Sequence, residues 1–339
     1  MLPLRGTRVV ELEGLGPGPL AGLMLAGMGA EVTVIRRPVS HETSERLGGS
    51  GDNPLRRGKR EVVLDLKRPD GVAAGLELVA AADALIESFR PGVLERLGLG
   101  PEVCLARNPR LVYARMTGWG QTGPLAHAAG HDLNYVALTG ILSLVARGGA
   151  RPITPPTVLG DAAGALGLAW GIACGILGAR ATGKGAVVDA AVVDIVAMLG
   201  TLVHWIRAAG QIDAGVPSPF HDSPFYDTYE CADGRHVTVA ALEPRFYAIL
   251  LEKLGFDDVN PDTQYDTARW PELKARFAAR FRSKARDEWS ALLEGSDACF
   301  APVLSLDEAA AHPHNAARGT YVVKDGALEA RMAPRLEAR

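Results

Sequence analysis

The chain is poor in cysteine and carries no surplus of one charge, and both shortages exclude function classes. Its 339 residues hold four cysteines, Cys104, Cys174, Cys231 and Cys299, widely spaced and without a C-x-x-C pair. That excludes a disulfide framework and a cysteine zinc site, and fits a reducing cytoplasm. Lys and Arg total 36 against 39 Asp and Glu, a net of −3. Broad nucleic-acid binding and polybasic membrane attachment are therefore not supported, and any basic site must be local. The opening MLPLRGTRVVEL reaches charged residues before any long apolar core, which argues against a secretory signal. Repeats and low-complexity segments are missing, as are HExxH and other clustered metal-ligand spacings. The nearest approach to the G-x-S-x-G elbow of a serine hydrolase, Gly48-Gly49-Ser50-Gly51-Asp52, breaks at its last position.

What is present is an apolar fraction of 47%, enough to bury a full core in two domains. The N-terminal half alternates strands and helices. Strands are expected at Arg8–Leu12, Glu31–Ile35, Glu61–Asp65, Ala84–Glu87 and Leu111–Met116, with helices at Pro19–Met28 and Pro69–Ala82. This pattern predicts an α/β fold with a mostly parallel, Rossmann-like sheet covered by helices. Two apolar helices are read at Asp161–Ala179 and Val188–Ala209. The first contains AAGALGLAWGIACGILGA, which is uncharged over about the minimum length of a membrane span. Its many Gly and Ala residues favour a buried core helix, with a span as the alternative.

The pattern then changes. Residues 1–200 are expected to form a large domain, with 315–339 returning to it; 201–217 is a linker and 218–314 a small α+β domain. Within the latter, Tyr226–Cys231 and Arg235–Ala241 flank the hairpin signal Asp233-Gly234. Helices follow at Pro244–Leu254, Trp270–Phe281 and Arg286–Leu293, with a returning strand within Asp297–Leu304.

The first βα turn tests a dinucleotide reading. After Gly14 and Gly16 the third glycine position is Pro19, and the second strand ends in Arg36-Arg37 instead of an acid for the ribose. The nicotinamide reading loses its support. Arginines at the carboxyl ends of strands, Arg37 and Arg90, suit a phosphate instead, because a guanidinium offers paired donors at the edge where open α/β sheets bind ligands. Arg56, Arg57, Lys59 and Arg60 add a local basic run, whose ordinary reading is solvated surface charge.

The pieces RVVELEGLGPGPLAG, ESFRPGV, YARMTGWGQTGP, GHDLNY, LGD and FYDTYECADGR resemble the family III CoA-transferase superfamily, and within it the α-methylacyl-CoA racemases. The resemblance runs from Thr7 to about Val303. It implies two domains in an interlocked homodimer, an acyl-CoA substrate with no separate cofactor, and arginines matching Arg37 and Arg90 near the ADP moiety. It also implies that His131 and Asp161 act as the acid and base that invert C2 of a 2-methylacyl-CoA, with Glu243 held against the histidine, where the interlocked dimer allows it to come from the other subunit. Gly130, Tyr135 and Gly160 join the substrate-binding set. Transferases of the superfamily instead use the aspartate matching Asp161 as the nucleophile of a mixed anhydride, so a CoA transferase stays open, as does a non-catalytic acyl-CoA binding protein.

The chemistry explains the pairing. The α-proton of a thioester is weakly acidic, so inversion needs one group per face of the carbon and a stabilised enolate oxygen. An aspartate that donates at neutral pH needs a raised pKa; desolvation by the apolar segment behind Asp161 would raise it, and a helix N-terminus would lower it. Free N–H groups at that terminus are candidate donors to the enolate oxygen, and Gly160 would let substrate approach the backbone. Each residue also has a plainer reading: Asp161 as a helix N-cap, His131 as a loop residue, Glu243 as a helix-start acid, and Asp132 as the cap of its helix. Residues 142–156 and 210–221 are expected to shape the acyl pocket.

Overall fold

The computed structural model describes residues 2–39, 53–146, 150–212, 215–324 and 326–337. Gly48–Asp52, and residues 147–149 and 213–214 of the expected acyl-pocket segments, lie outside them. The chain divides into two compact units, 1–200 with 332–339, and 201–331.

The first unit is built on six parallel strands: β1 (Arg8–Leu12), β2 (Glu31–Arg36), β3 (Arg60–Val63), β4 (Ala84–Glu87), β5 (Val112–Thr117) and β6 (Ala186–Ala191), in the order β3-β2-β1-β4-β5-β6. Its central strands are apolar on both faces because helices cover both; Ala84, Leu85, Ile86, Val112, Tyr113 and Ala114 are all buried. Strand β6 was expected as part of a helix. The run AVVDAAVV is apolar but for Asp189 and carries no decisive period, and pairing of Val112–Thr117 with Ala186–Ala191 makes its first six residues a strand. The remainder becomes α7 (below).

Helices of this unit are α1 (Pro17–Gly27), α2 (Pro69–Ala80), α3 (Val93–Arg96), α4 (Pro101–Arg107), α5 (Asp132–Leu138), α6 (Ala163–Thr182) and α7 (Val192–Leu199). Helix α6 packs on α1, β5 and β6. Its small residues permit that approach: a Cβ on Gly175 would stand 2.8 Å from Val112 Cγ1. Together with the turn before it, α6 is long and apolar enough to cross a membrane by length and composition. One face, with Ala165, Leu168, Ile172 and Ile176, is buried in the unit's core, whereas Leu166, Trp170 and Leu177 are exposed. The C-terminal segment from Met332 belongs to this unit, with the Met332 side chain against Gly27.

The second unit opens with α8 (Thr201–Ala208), so the segment expected as a linker begins as a helix. It holds an antiparallel sheet of β7 (Tyr226–Glu230), β8 (His236–Ala240) and β9 (Phe300–Pro302), with α9 (Pro244–Leu254), α10 (Trp270–Phe281) and α11 (Arg286–Leu293). The hairpin turns at Asp233-Gly234, where Gly234 takes φ +74° and Asp233 Oδ1 accepts from the Arg235 amide at 3.2 Å. Helices α12 (Leu306–Ala311) and α13 (Pro313–Arg318) and the hairpin β10 (Tyr321–Lys324) and β11 (Ala327–Ala330) complete it.

Candidate active site

In the first unit, strand order reverses between β1 and β4, and the loops that leave their carboxyl ends meet there. A Cβ on Gly14 would stand 3.5 Å from Ser88 Cβ, and one on Gly18 2.2 Å from Ser88 Oγ, so the glycine loop and the Ser88–Gly92 turn are in contact. The turn is fixed from below. Glu87, fully buried, accepts from Arg115 Nε at 2.8 Å and from the Phe89 amide at 2.7 Å, which sets the path of the chain to Arg90. Among the described residues the exposed Arg90 guanidinium has no ion pair.

Asp161 reaches the same place from the far side of the sheet sequence. It sits in a π turn, Val158–Ala162, that runs directly into α6, with the Ala162 amide bonded to the Thr157 carbonyl at 2.9 Å. Its carboxylate overlies the glycine loop: a Cβ on Gly16, which takes φ +68°, would lie 3.2 Å from Asp161 Oδ2. Here the absence of a side chain is a condition of the approach. Burial and the neighbouring Asp132 carboxylate raise the Asp161 pKa above the usual range, and His131 pulls it down. The opposing influence of the helix N-terminus is weakened by a residue that sequence reasoning undervalued.

That residue is Asp132. It was expected as the cap of α5, but His131 holds the cap position, with its amide donating to Asn134 Oδ1 at 3.0 Å. The buried Asp132 carboxylate turns away and accepts from the Gly160 amide at 2.8 Å and the Asp161 amide at 2.7 Å through one oxygen. Two expectations change as a result. Those two amides precede the helix and are occupied, so neither is a donor for an enolate oxygen. The space beside Gly160 is filled as well, since a Cβ there would stand 2.4 Å from Asp132 Oδ1; the glycine admits Asp132. A signal existed in the sequence, an acid directly after the candidate histidine, but only the fold brings it to the LGD segment.

Tyr135 packs edge-on against Trp119 with ring centroids 4.7 Å apart and donates its hydroxyl to the Gly130 carbonyl. A Cβ on Gly130 would collide with both rings, at 2.7 Å from Tyr135 and 2.8 Å from Trp119. Burial and the Asp161 charge raise the Tyr135 pKa while Arg90 lowers it, so both charges lie within electrostatic reach of Tyr135. His131, Asp161, Tyr135 and Arg90 thus share one neighbourhood at the carboxyl edge of the sheet.

The basic run divides by role. Lys59, read as surface charge, has a fully buried side chain: its Nζ lies 2.6 Å from Glu11 Oε2 and 2.8 Å from the Pro19 carbonyl, tying β1 to the start of α1. Burial pushes the Glu11 pKa up, against the pull of Lys59. Glu13 collects Arg56 at 3.0 Å, Arg36 at 3.5 Å and Arg37 at 3.7 Å. Arg37 stays exposed and also donates its backbone amide to Glu13 at 3.2 Å.

Glu243 belongs to the second unit, at the N-cap of α9. It thus stands at a helix start, as its plainer reading expected, but its carboxylate makes no capping bond to that helix.

The sequence profile of CoA-transferase family III matches residues 4–337. Alpha-methylacyl-CoA racemase of Mus musculus is 43% identical over 329 residues, spanning 94% of this chain and 82% of the mouse protein. The enzyme of that name from Homo sapiens is 41% identical over 334 residues, 96% and 84% of the two chains. Among solved structures, a CAIB/BAIF family protein from Brucella suis superposes with a TM-score of 0.82 at 27% identity, covering 98% of this chain and 92% of that one. The chain is a member of CoA-transferase family III.

Proposed function

We propose that the protein is an α-methylacyl-CoA racemase, an isomerase that interconverts the (2R) and (2S) forms of 2-methyl-branched acyl-CoA thioesters. The observation that carries this reading is that Asp132, directly after His131, bonds the Gly160 and Asp161 amides at 2.8 and 2.7 Å and so ties the two candidate segments together. Both relatives named above bear that activity in their names.

In this reading the neutral His131 removes the proton from C2, the electrons of that bond move onto the thioester oxygen, and protonated Asp161 returns a proton to the opposite face. In the reverse direction Asp161 is the base and protonated His131 the acid. Burial of Asp161, together with Asp132, favours the protonated form that the donor step needs. The CoA phosphates lie along Arg37 and Arg90, and Tyr135 lines the acyl-thioester end. CoA is part of the substrate, so the reaction needs no further cofactor.

The same proposal includes a homodimer in which the partner subunit's Glu243 meets His131 and holds its ring. The exposed apolar stripe Leu166, Trp170 and Leu177 on α6 supports burial against a second copy. The four free cysteines are in keeping with a cytoplasmic protein.

The deciding experiment is incubation with a 2-methylacyl-CoA in deuterated water, following label at C2. Incorporation with loss of optical purity is expected. No incorporation across several chain lengths, with CoA moving to an added free carboxylic acid, would replace this reading by transfer through an Asp161 anhydride.

A further inference from the structure

The turn that carries Glu243 is held in an unusual way for a helix start. Residue 243 takes extended backbone (φ −79°, ψ 141°) and Pro244 follows it, so the helix begins with a stiff corner. Such a corner normally uses its cap side chain to satisfy the first amides of the helix. Glu243 does not, and among the described residues its carboxylate has no hydrogen bond or ion pair. Something other than capping must hold the corner.

The holders are two neighbouring residues from the connection between α9 and α10. Gln264 is buried at 2% exposure, and its Nε2 donates to the carbonyls of Ala241 at 2.9 Å and Leu242 at 3.0 Å. The Tyr265 hydroxyl donates to the same Leu242 carbonyl at 2.5 Å. Both lone pairs of the carbonyl directly before Glu243 are therefore engaged. The reverse orientation of the Gln264 amide would set its oxygen against two carbonyl oxygens, so these bonds fix the flip. Its Oε1 is buried with no partner, a cost that a merely space-filling residue would avoid.

The holders are themselves held. The Gln264 carbonyl accepts from Trp270 Nε1 at 2.8 Å, and the Tyr265 ring packs edge-on against the buried Phe225 at 5.5 Å. Phe225 in turn accepts, through its carbonyl, the Ala241 amide at 2.9 Å. The loop closes on itself around residues 241–243. Tyr265 and Cys299 both lie within electrostatic reach of Glu243, for its charge helps to raise each of their pKa values.

We infer that Gln264 and Tyr265 are positioning residues for Glu243, holding the 241–243 corner so that the carboxylate stays uncommitted to its own helix and available to a partner group. This rests on the proposed role of Glu243 in the racemase reaction. It adds two residues that belong to no motif.

The test uses the full-length protein and compares Tyr265→Phe, Gln264→Met, Glu243→Gln and the Tyr265→Phe/Glu243→Gln pair by C2 deuterium exchange and racemisation. Tyr265→Phe keeps the ring and its contact with Phe225 and removes only the hydroxyl bond. It is expected to lower kcat roughly three- to ten-fold, the rate equivalent of one net hydrogen bond, with KM for the acyl-CoA unchanged. In the paired variant the tyrosine change should add nothing to the loss from Glu243→Gln. Wild-type kcat for Tyr265→Phe beside a crippled Glu243→Gln overturns the inference alone, as does full additivity in the pair. Wild-type turnover for Glu243→Gln overturns the inference together with the reading of Glu243. Gln264→Met should show the larger loss of the two single changes; should it fail to fold, Tyr265→Phe decides.

Discussion

The two units solve the same packing problem with different materials. In the second, the main core cluster holds eight buried aromatic side chains: Phe225, Tyr229, Tyr247, Phe256, Trp270, Phe277, Phe281 and Trp289. In the two clusters of the first, Tyr113 is the single buried aromatic among the described residues. That unit relies on Val, Ile, Leu, Ala and on glycines through which chain segments approach each other closely. Large rings supply much buried area per residue and fix a small unit firmly. Small residues allow backbone and carboxylates to converge, as they do at Gly16, Gly22 and Gly160. The difference is in keeping with the division of labour proposed above, with the ligand assigned to the first unit and the rigid presentation of Glu243 to the second.

The largest effect that would break this comparison is on chemistry. His131→Ala and Asp161→Ala are each expected to lower racemisation by roughly 10²–10⁴-fold while urea unfolding midpoints stay near the parent value, because neither side chain supports a core. A variant that keeps near-parental turnover removes its residue from the mechanism. Next comes Phe277→Ala in the aromatic core, stacked on Phe256 at 5.0 Å and fully buried. It should cost about 3–5 kcal/mol in denaturant unfolding of the second unit. A loss below about 1 kcal/mol would mean that this core tolerates voids, contrary to its ring-on-ring packing.

The smallest effect sharpens the description of the first unit. Asp132→Asn keeps an oxygen that can accept the Gly160 and Asp161 amides but removes a charge that raises the Asp161 pKa. The Asp161 pKa should therefore fall. Where Asp161 donates, activity is lost as pH rises through that pKa; where it is the base, activity is lost as pH falls through it. The Asp161-dependent limb should move to lower pH from either enantiomer. A profile that does not move would show that burial alone, which is the larger cause, sets this pKa.

Much of the framework could be read from the residues. Ala84–Glu87 and the helices Pro244–Leu254, Trp270–Phe281 and Arg286–Leu293 fall on their expected bounds, since each is a short apolar run or an amphipathic segment opened by proline or acids. Strand β6 escaped because a run with the single polar residue Asp189 shows no decisive period, and pairing with β5 decided its state. The short helices α3 and α4, opened by Gly92 and Gly100, are too brief for periodicity to show. The candidates His131 and Asp161 came through ordered motifs that resemble a family, not through spacing. Lys59 and Asp132 show the limit of such reading, because nothing local tells a surface lysine from one facing a buried glutamate. Gln264 and Tyr265 lie beyond it, since their partners are backbone carbonyls that carry no sequence signature.

The π turn before α6 has one more consequence. A wide turn contains a residue that an ordinary helix would not need, so the direction in which Asp161 projects depends on the length of Val158–Ala162 as well as on its composition. Removing one residue there would let the helix close normally and swing everything ahead of the deletion by about 100° around its axis. An evolutionary path that trimmed this segment could keep the fold, the aspartate and the histidine, and still lose their alignment.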